Sequence, residues 1–143
     1  MKILKYTFYK DNLTVIDGEI VEADPTPYTL NFSLTMKGLE LFEEEYGTPI
    51  INILLKEYAY EAESIEFLRA LACSTYLKID NNQVIQNEAT VQEFKDMEEI
   101  YKSCASDAVF KVQLVSMAIE CIEERAKKVK ENNNPKKTGK SKN

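Results

Sequence analysis

The residues that could do chemistry in this chain are few, and their spacing excludes more than it offers. There is no histidine among the 143 residues. A Ser-His-Asp or Cys-His nucleophile and a His-based metal site are therefore impossible. Cys73, Cys104 and Cys121 are an odd number, widely spaced, each among apolar neighbours. They form no C-x-x-C pair, so buried reduced thiols are expected rather than ligands or a disulfide framework. Carboxylate pairs could still exchange protons. Yet Glu43-Glu44-Glu45, Glu98-Glu99 and Glu123-Glu124 each lie opposite an apolar helical stripe, the pattern of a solvated face. No glycine-rich run can cradle a phosphate. The expectation is a protein without catalytic activity, cofactor or metal.

The elements that would have to position any site point the same way. The chain has enough residues for one domain with a modest core. An apolar fraction of 44% with 29% charged residues is ordinary for a soluble fold. Four Gly and four Pro favour helix. No apolar run approaches the roughly 20 residues of a membrane helix, and MKILKYTFYK lacks the apolar core of a secretory signal. A cytoplasmic protein with no membrane partner is expected.

The fold class read from the pattern is mainly α, about five helices, with a small N-terminal antiparallel β hairpin or sheet; α+β is the alternative. Residues 1–21 read as short strands, with turn signals at Asp11-Asn12 and Asp17-Gly18. Asp24-Pro25-Thr26-Pro27 reads as a rigid connector. It leads into a strand in which Tyr28, Leu30, Phe32 and Leu34 alternate with Thr29, Asn31 and Ser33. At Thr35 the period becomes helical, and Met36, Leu39, Phe42 and Tyr46 predict a helix over 36–46. Gly47 suits its left-handed C-terminal position, and Gly38 weakens it unless a close backbone contact requires it. Thr48-Pro49 opens a second helix over 49–58 that is apolar around most of its circumference.

A third helix is predicted from near Ser64 through Ile79, on the stripe Ile65, Leu68, Ala72, Thr75, Tyr76 and Ile79, with Phe67 and Leu71 widening it. Asp80-Asn81-Asn82 ends it, and Val84-Ile85 falls in a polar loop. Thr90-Val91-Gln92-Glu93 reads as a capping box for a fourth helix burying Val91, Phe94, Met97, Ile100 or Tyr101, and Cys104. The fifth, over 107–130, carries two seams. One is Ala108, Val112, Val115, Ile119, Ile122, Ala126 and Val129; the other is Phe110, Leu114, Met117 and Cys121. One seam is core and the other is open to a partner or to self-association. We place partner contact at Ile50, Ile53 and Leu54 and at Phe110, Leu114 and Met117.

Residues 127–143 hold seven Lys and one Glu, a net of +6; the preceding 126 hold eleven Lys and Arg against twenty-three Asp and Glu, a net of −12. The domain is thus assigned to 1–130, with its β segment at 1–34, and 131–143 to a disordered Lys-rich tail. A basic tail can touch nucleic acid. Without aromatic residues or an accompanying basic face, nucleic acid is not expected as a partner.

The order of these features resembles the tail assembly chaperones of long-tailed bacteriophages and prophages of Gram-positive bacteria. The motifs are Ile16-Asp17-Gly18, then Leu30-Asn31-Phe32, then Thr35 through Leu39, Phe42, Glu43 and Glu44 to Gly47. The Thr90 to Glu93 helix start and the long last helix complete a resemblance running from about residue 13 to residue 128. It implies a non-catalytic protein of the bacterial host cytoplasm, absent from the finished virion. Such a protein binds the phage tape measure protein and helps recruit tail tube subunits. It also implies a longer form made by ribosomal frameshifting, for which Lys127-Lys128 or Lys136-Lys137 are candidate slippery codons. A small structural tail-completion or connector protein of the virion is the alternative.

Overall fold

In a computed structural model, which describes residues 1–54 and 64–132, the chain is α+β, with six helices among the described residues and a four-stranded antiparallel sheet. Two long strands open it, β1 (Leu4–Ile16) and β2 (Glu19–Phe32). They are joined by a two-residue turn in which Asp17 (φ 51°) and Gly18 (φ 80°) both adopt positive φ. This is the type I′ geometry whose twist matches the flanking strands. Residues 4–32 are therefore one hairpin and not the short strands predicted. Asp11-Asn12 is no turn: the pairing passes from Lys10↔Thr26 to Asn12↔Ala23, so β2 carries one extra residue. The bulge falls at Asp24-Pro25, where proline has no ladder bond to lose. Asn12 stitches it, its Nδ2 donating to the Asp24 carbonyl oxygen at 2.6 Å and to Thr26 Oγ1 at 2.9 Å.

The predicted first helix is α1 (Met36–Tyr46), and its ends are as expected: Thr35 Oγ1 accepts from the Gly38 amide, and Gly47 closes it at φ 88°. Its buried face is turned from the predicted stripe, with Gly38, Leu41 and Phe42 inside and Met36 exposed. The close backbone contact at Gly38 is present: a Cβ there would lie 3.1 Å from the Ser74 carbonyl oxygen. The second helix, α2 (Ile50–Leu54), begins as predicted; the remainder of the 49–58 prediction lies outside the described residues.

Ser64 caps α3 (Ile65–Thr75) by accepting from the Phe67 amide. Here the structure corrects the sequence reading. The helix stops at Thr75, and Tyr76–Asp80 is strand β3, turning through Asn81 and Asn82 into β4 (Gln83–Ile85). Both asparagines hold positive φ, a second type I′ turn. β3 pairs with the end of β2 through Asn31↔Leu77 and Phe32↔Tyr76, giving the order β1-β2-β3-β4.

The predicted fourth helix is two, α4 (Glu88–Asp96) and α5 (Glu98–Ser103), separated at Met97. Its capping box is also displaced. Asn87 is the N-cap and Thr90 the residue that reaches back, the reciprocal bonds measuring 3.1 and 2.9 Å. Glu93 is freed to meet Lys78 at 2.8 Å and the Tyr76 hydroxyl at 3.0 Å. The last helix, α6 (Ala108–Asn132), runs two residues past its predicted end. Residues 133–143 of the predicted tail lie outside the described residues.

The core lies between the sheet face and the helices, and it is aromatic. The Phe110 ring sits 4.8 Å from Phe8, 5.1 Å from Phe32 and 4.9 Å from Tyr6, in tilted or edge-on contacts. Phe32 in turn meets Phe94 at 5.8 Å. Such pairs contribute about 0.5–1.5 kcal/mol each beyond their buried area. They tie the hairpin to α4 and α6.

Candidate partner-binding surfaces

All three cysteines are buried. Burial pushes the Cys73 thiol up to about 12 and the Cys104 thiol up to about 11, away from the thiolate a nucleophile needs. Among the described residues no three His, Cys, Asp or Glu side chains gather where they could hold a metal ion. Glu43, Glu44, Glu45, Glu98, Glu99 and Glu123 are exposed, as expected of solvated helix faces. Glu45 pairs with Lys95 at 2.7 Å and Glu98 with Lys102 at 2.6 Å. The hydrogen bond from Lys78 holds the Glu93 carboxyl below the usual carboxylate range, with Tyr76 adding to it. No helix among the described residues is long and apolar enough to cross a membrane.

The residues placed at partner contact from sequence are in the core. Ile50, Ile53, Phe110, Leu114 and Met117 are buried to 2% exposure or less, and Leu54 is partly buried against them. On α6 the aromatic seam faces inward, packed on the hairpin, because Phe110 fills the space beneath Phe8 and Phe32. In the other seam Val112 and Val129 are exposed, while Ile122 is buried.

Two apolar surfaces stand outside this core. The first is the distal half of the hairpin, residues 11–24. Beyond the Lys10–Glu99 ion pair at 3.7 Å, Leu13, Val15, Ile16 and Ile20 are each more than half exposed, and Val21 is 41% exposed. The register puts Leu13 opposite Glu22 and Val15 opposite Ile20 on one face, and Val21 and Ile16 on the other. The arm holds Asp11, Asp17, Glu19, Glu22 and Asp24, and no Lys or Arg. Along residues 19–30 β2 has no second strand neighbour among the described residues. Pro25 and Pro27 remove amides there, which blunts strand addition.

The second is a groove of about 580 Å³ where α1 and α2 face the end of α6. Leu39, Ile51, Ile122, Ala126 and Val129 line it, together with Glu43, Arg125 and Lys130. Arg125 donates to the carbonyl oxygens of Leu34 and Cys121, at 2.6 and 3.4 Å. Those contacts fix the side chain without neutralising its charge.

Sequence reasoning missed the arm because Asp11-Asn12 and Asp24-Pro25 both look like chain reversals. The signal that could have found it is the matched alternation on either side of Asp17-Gly18. No protein-family model, no curated protein and no solved structure matches this chain.

Proposed function

We propose that this chain is a non-catalytic bacteriophage tail assembly chaperone that binds the tape measure protein and helps recruit tail tube subunits. The observation that carries it is the arm: a hairpin extension with large apolar side chains exposed on both faces, standing clear of a finished core. Exposed apolar surface of this kind marks a place for another protein. The order of motifs from Ile16-Asp17-Gly18 to the Gly47 corner supports the identity of that protein. An acidic body suits the task, since like charge keeps copies soluble while apolar surface is on offer.

Co-expression with the tape measure protein encoded beside it tests the proposal. The partner should become soluble and co-purify with this chain. Replacing Val15 and Ile20 by serine should return it to the pellet, and unchanged solubility in either arm would reject the proposal. Mass spectrometry of purified virions should find tape measure and tube proteins and not this chain.

A further inference from the structure

We propose that the outer edge of β1, over Asp11–Ile16, takes an extended segment of the client as an added strand, and that this segment is free of proline and alternates apolar residues with Lys or Arg. This mode of binding rests on the arm being the partner site.

The two edges of the hairpin differ. β2 carries Pro25 and Pro27 along its open edge, whereas the 13 residues of β1 hold no proline. In the order β1-β2-β3-β4, β1 is the outermost strand. Beside a two-residue turn the flanking residues exchange both hydrogen bonds, and exchanging pairs then alternate along the ladder. Ile16↔Glu19 and Thr14↔Val21 are such pairs. The amides and carbonyls of Leu13 and Val15 therefore point away from β2, at the outer edge. An edge of that kind is a template for one more strand.

The side chains set which strand it accepts. Asp11, Leu13 and Val15 alternate onto one face, with Leu13 57% and Val15 70% exposed. Behind them on β2 stand Glu22, opposite Leu13, and Ile20, opposite Val15. An added strand lays every second side chain beside this row, so apolar residues belong next to Leu13 and Val15. Charge decides the rest. The arm holds Asp11, Asp17, Glu19, Glu22 and Asp24 and no Lys or Arg. Lys10, the cation next along the strand, is occupied by Glu99 at 3.7 Å, with Asp96 and Glu98 lining the same hollow. Lys or Arg in the incoming strand meets this field favourably, and a carboxylate, such as those of a second arm, is repelled.

A short synthetic peptide alternating valine and lysine, carrying a fluorescent label, tests the mode without the client. Anisotropy should report saturable binding to the full chain that weakens as salt rises. Methylating the peptide's backbone nitrogens on the edge facing β1 keeps its charge and side chains but removes the pairing, and should weaken binding at least about tenfold. Glutamate in place of its lysines should do the same. In the chain, Val15→Pro removes an outward amide and spares the ladder to β2, so it should cost more binding than Val15→Ala. Hydrogen exchange reads the contact directly. The Leu13 and Val15 amides should exchange freely in the chain alone and become protected with peptide bound, while Thr14 and Ile16 stay protected throughout and report an intact hairpin. A parent peptide that does not bind, a methylated peptide that binds equally, or Leu13 and Val15 amides left unprotected in the complex would overturn the proposal. The chaperone role fails separately. A client made soluble by co-expression whose complex leaves those two amides unprotected would keep that role and reject the added strand. Peptide binding with this protection pattern, beside a client that stays insoluble, would do the reverse.

Discussion

The Tyr6 hydroxyl donates to the Asp107 carboxylate at 2.7 Å across 101 residues of sequence, and the same carboxylate accepts from the Phe110 amide at 3.0 Å. One acidic side chain thus caps α6 and anchors the first strand. Tyr6→Phe should cost about 1.5–3 kcal/mol, the range for a hydrogen bond to a charged acceptor, read as a lower urea midpoint at unchanged slope.

The tyrosines also set an alkaline limit. Burial first, then the neighbouring carboxylates Asp107 and Glu93, push Tyr6 and Tyr76 up to about 12. An unfolded tyrosine titrates near 10. Between those values the unfolded chain has lost protons that the folded chain keeps, so stability falls as pH rises. The contribution is fully present below pH ~10 and is lost as pH climbs to ~12. Urea midpoints across that window should decline less steeply in Tyr6→Phe than in the parent.

Leu114 and Val112 give a paired test of which seam of α6 is core. Leu114 is fully buried and Val112 is 63% exposed. Leu114→Ala should cost about 2–5 kcal/mol, and Leu114→Glu should unfold the chain. Val112→Glu should stay within about 0.5 kcal/mol of the parent. Thermal melts of the three variants decide it.

Gln86 joins three elements through one amide. Its Nε2 donates to the Ser74 carbonyl oxygen at 2.9 Å and the Ser33 carbonyl oxygen at 3.3 Å, while its Oε1 accepts from the Thr35 hydroxyl. Gln86→Ala leaves buried backbone acceptors between β2, α3 and α1 unpaired. The expected loss is about 2–3 kcal/mol, far above that of an ordinary loop residue and measurable by urea titration.

Thiol labelling checks the reading of Cys73 and Cys104 as packing residues. Both are buried with pKa values pushed up, to about 12 and about 11. At pH 8 iodoacetamide should leave them unmodified in the native chain and modify both in urea, as mapped by peptide mass. Fast native labelling of either would show an accessible thiolate instead.

Local chemistry was the legible part of this fold. Thr35, Gly47, Ser64 and the Asp17-Gly18 pair act through their own backbone neighbours, and each stands where its residue type says it should. Tyr76 to Asp80 was misread because Ala72, Thr75, Tyr76 and Ile79 fit a helical stripe, while what fixes them as strand is pairing with Asn31 and Phe32, far away in sequence. The same limit hid which seam of α6 is core. Two apolar seams on α6 are equal by periodicity, and only the space beneath Phe8 and Phe32 selects the one carrying Phe110. Thr90 belonged to a capping box, but as the residue reaching back to Asn87, because Glu93 is held by Lys78.

The contact between the Phe8 and Phe110 rings has a consequence for how the chain is born. The hairpin ends at Phe32, and at 5–20 residues per second a ribosome needs roughly 4–16 s to reach Phe110 from there. Throughout that interval the first hairpin exists without the helix that covers its inner face. Its long local ladder lets it form early, yet its greasy side waits for the last quarter of the chain. The acidic residues and prolines of the arm are then the nascent hairpin's own protection against pairing with a neighbour on the same message.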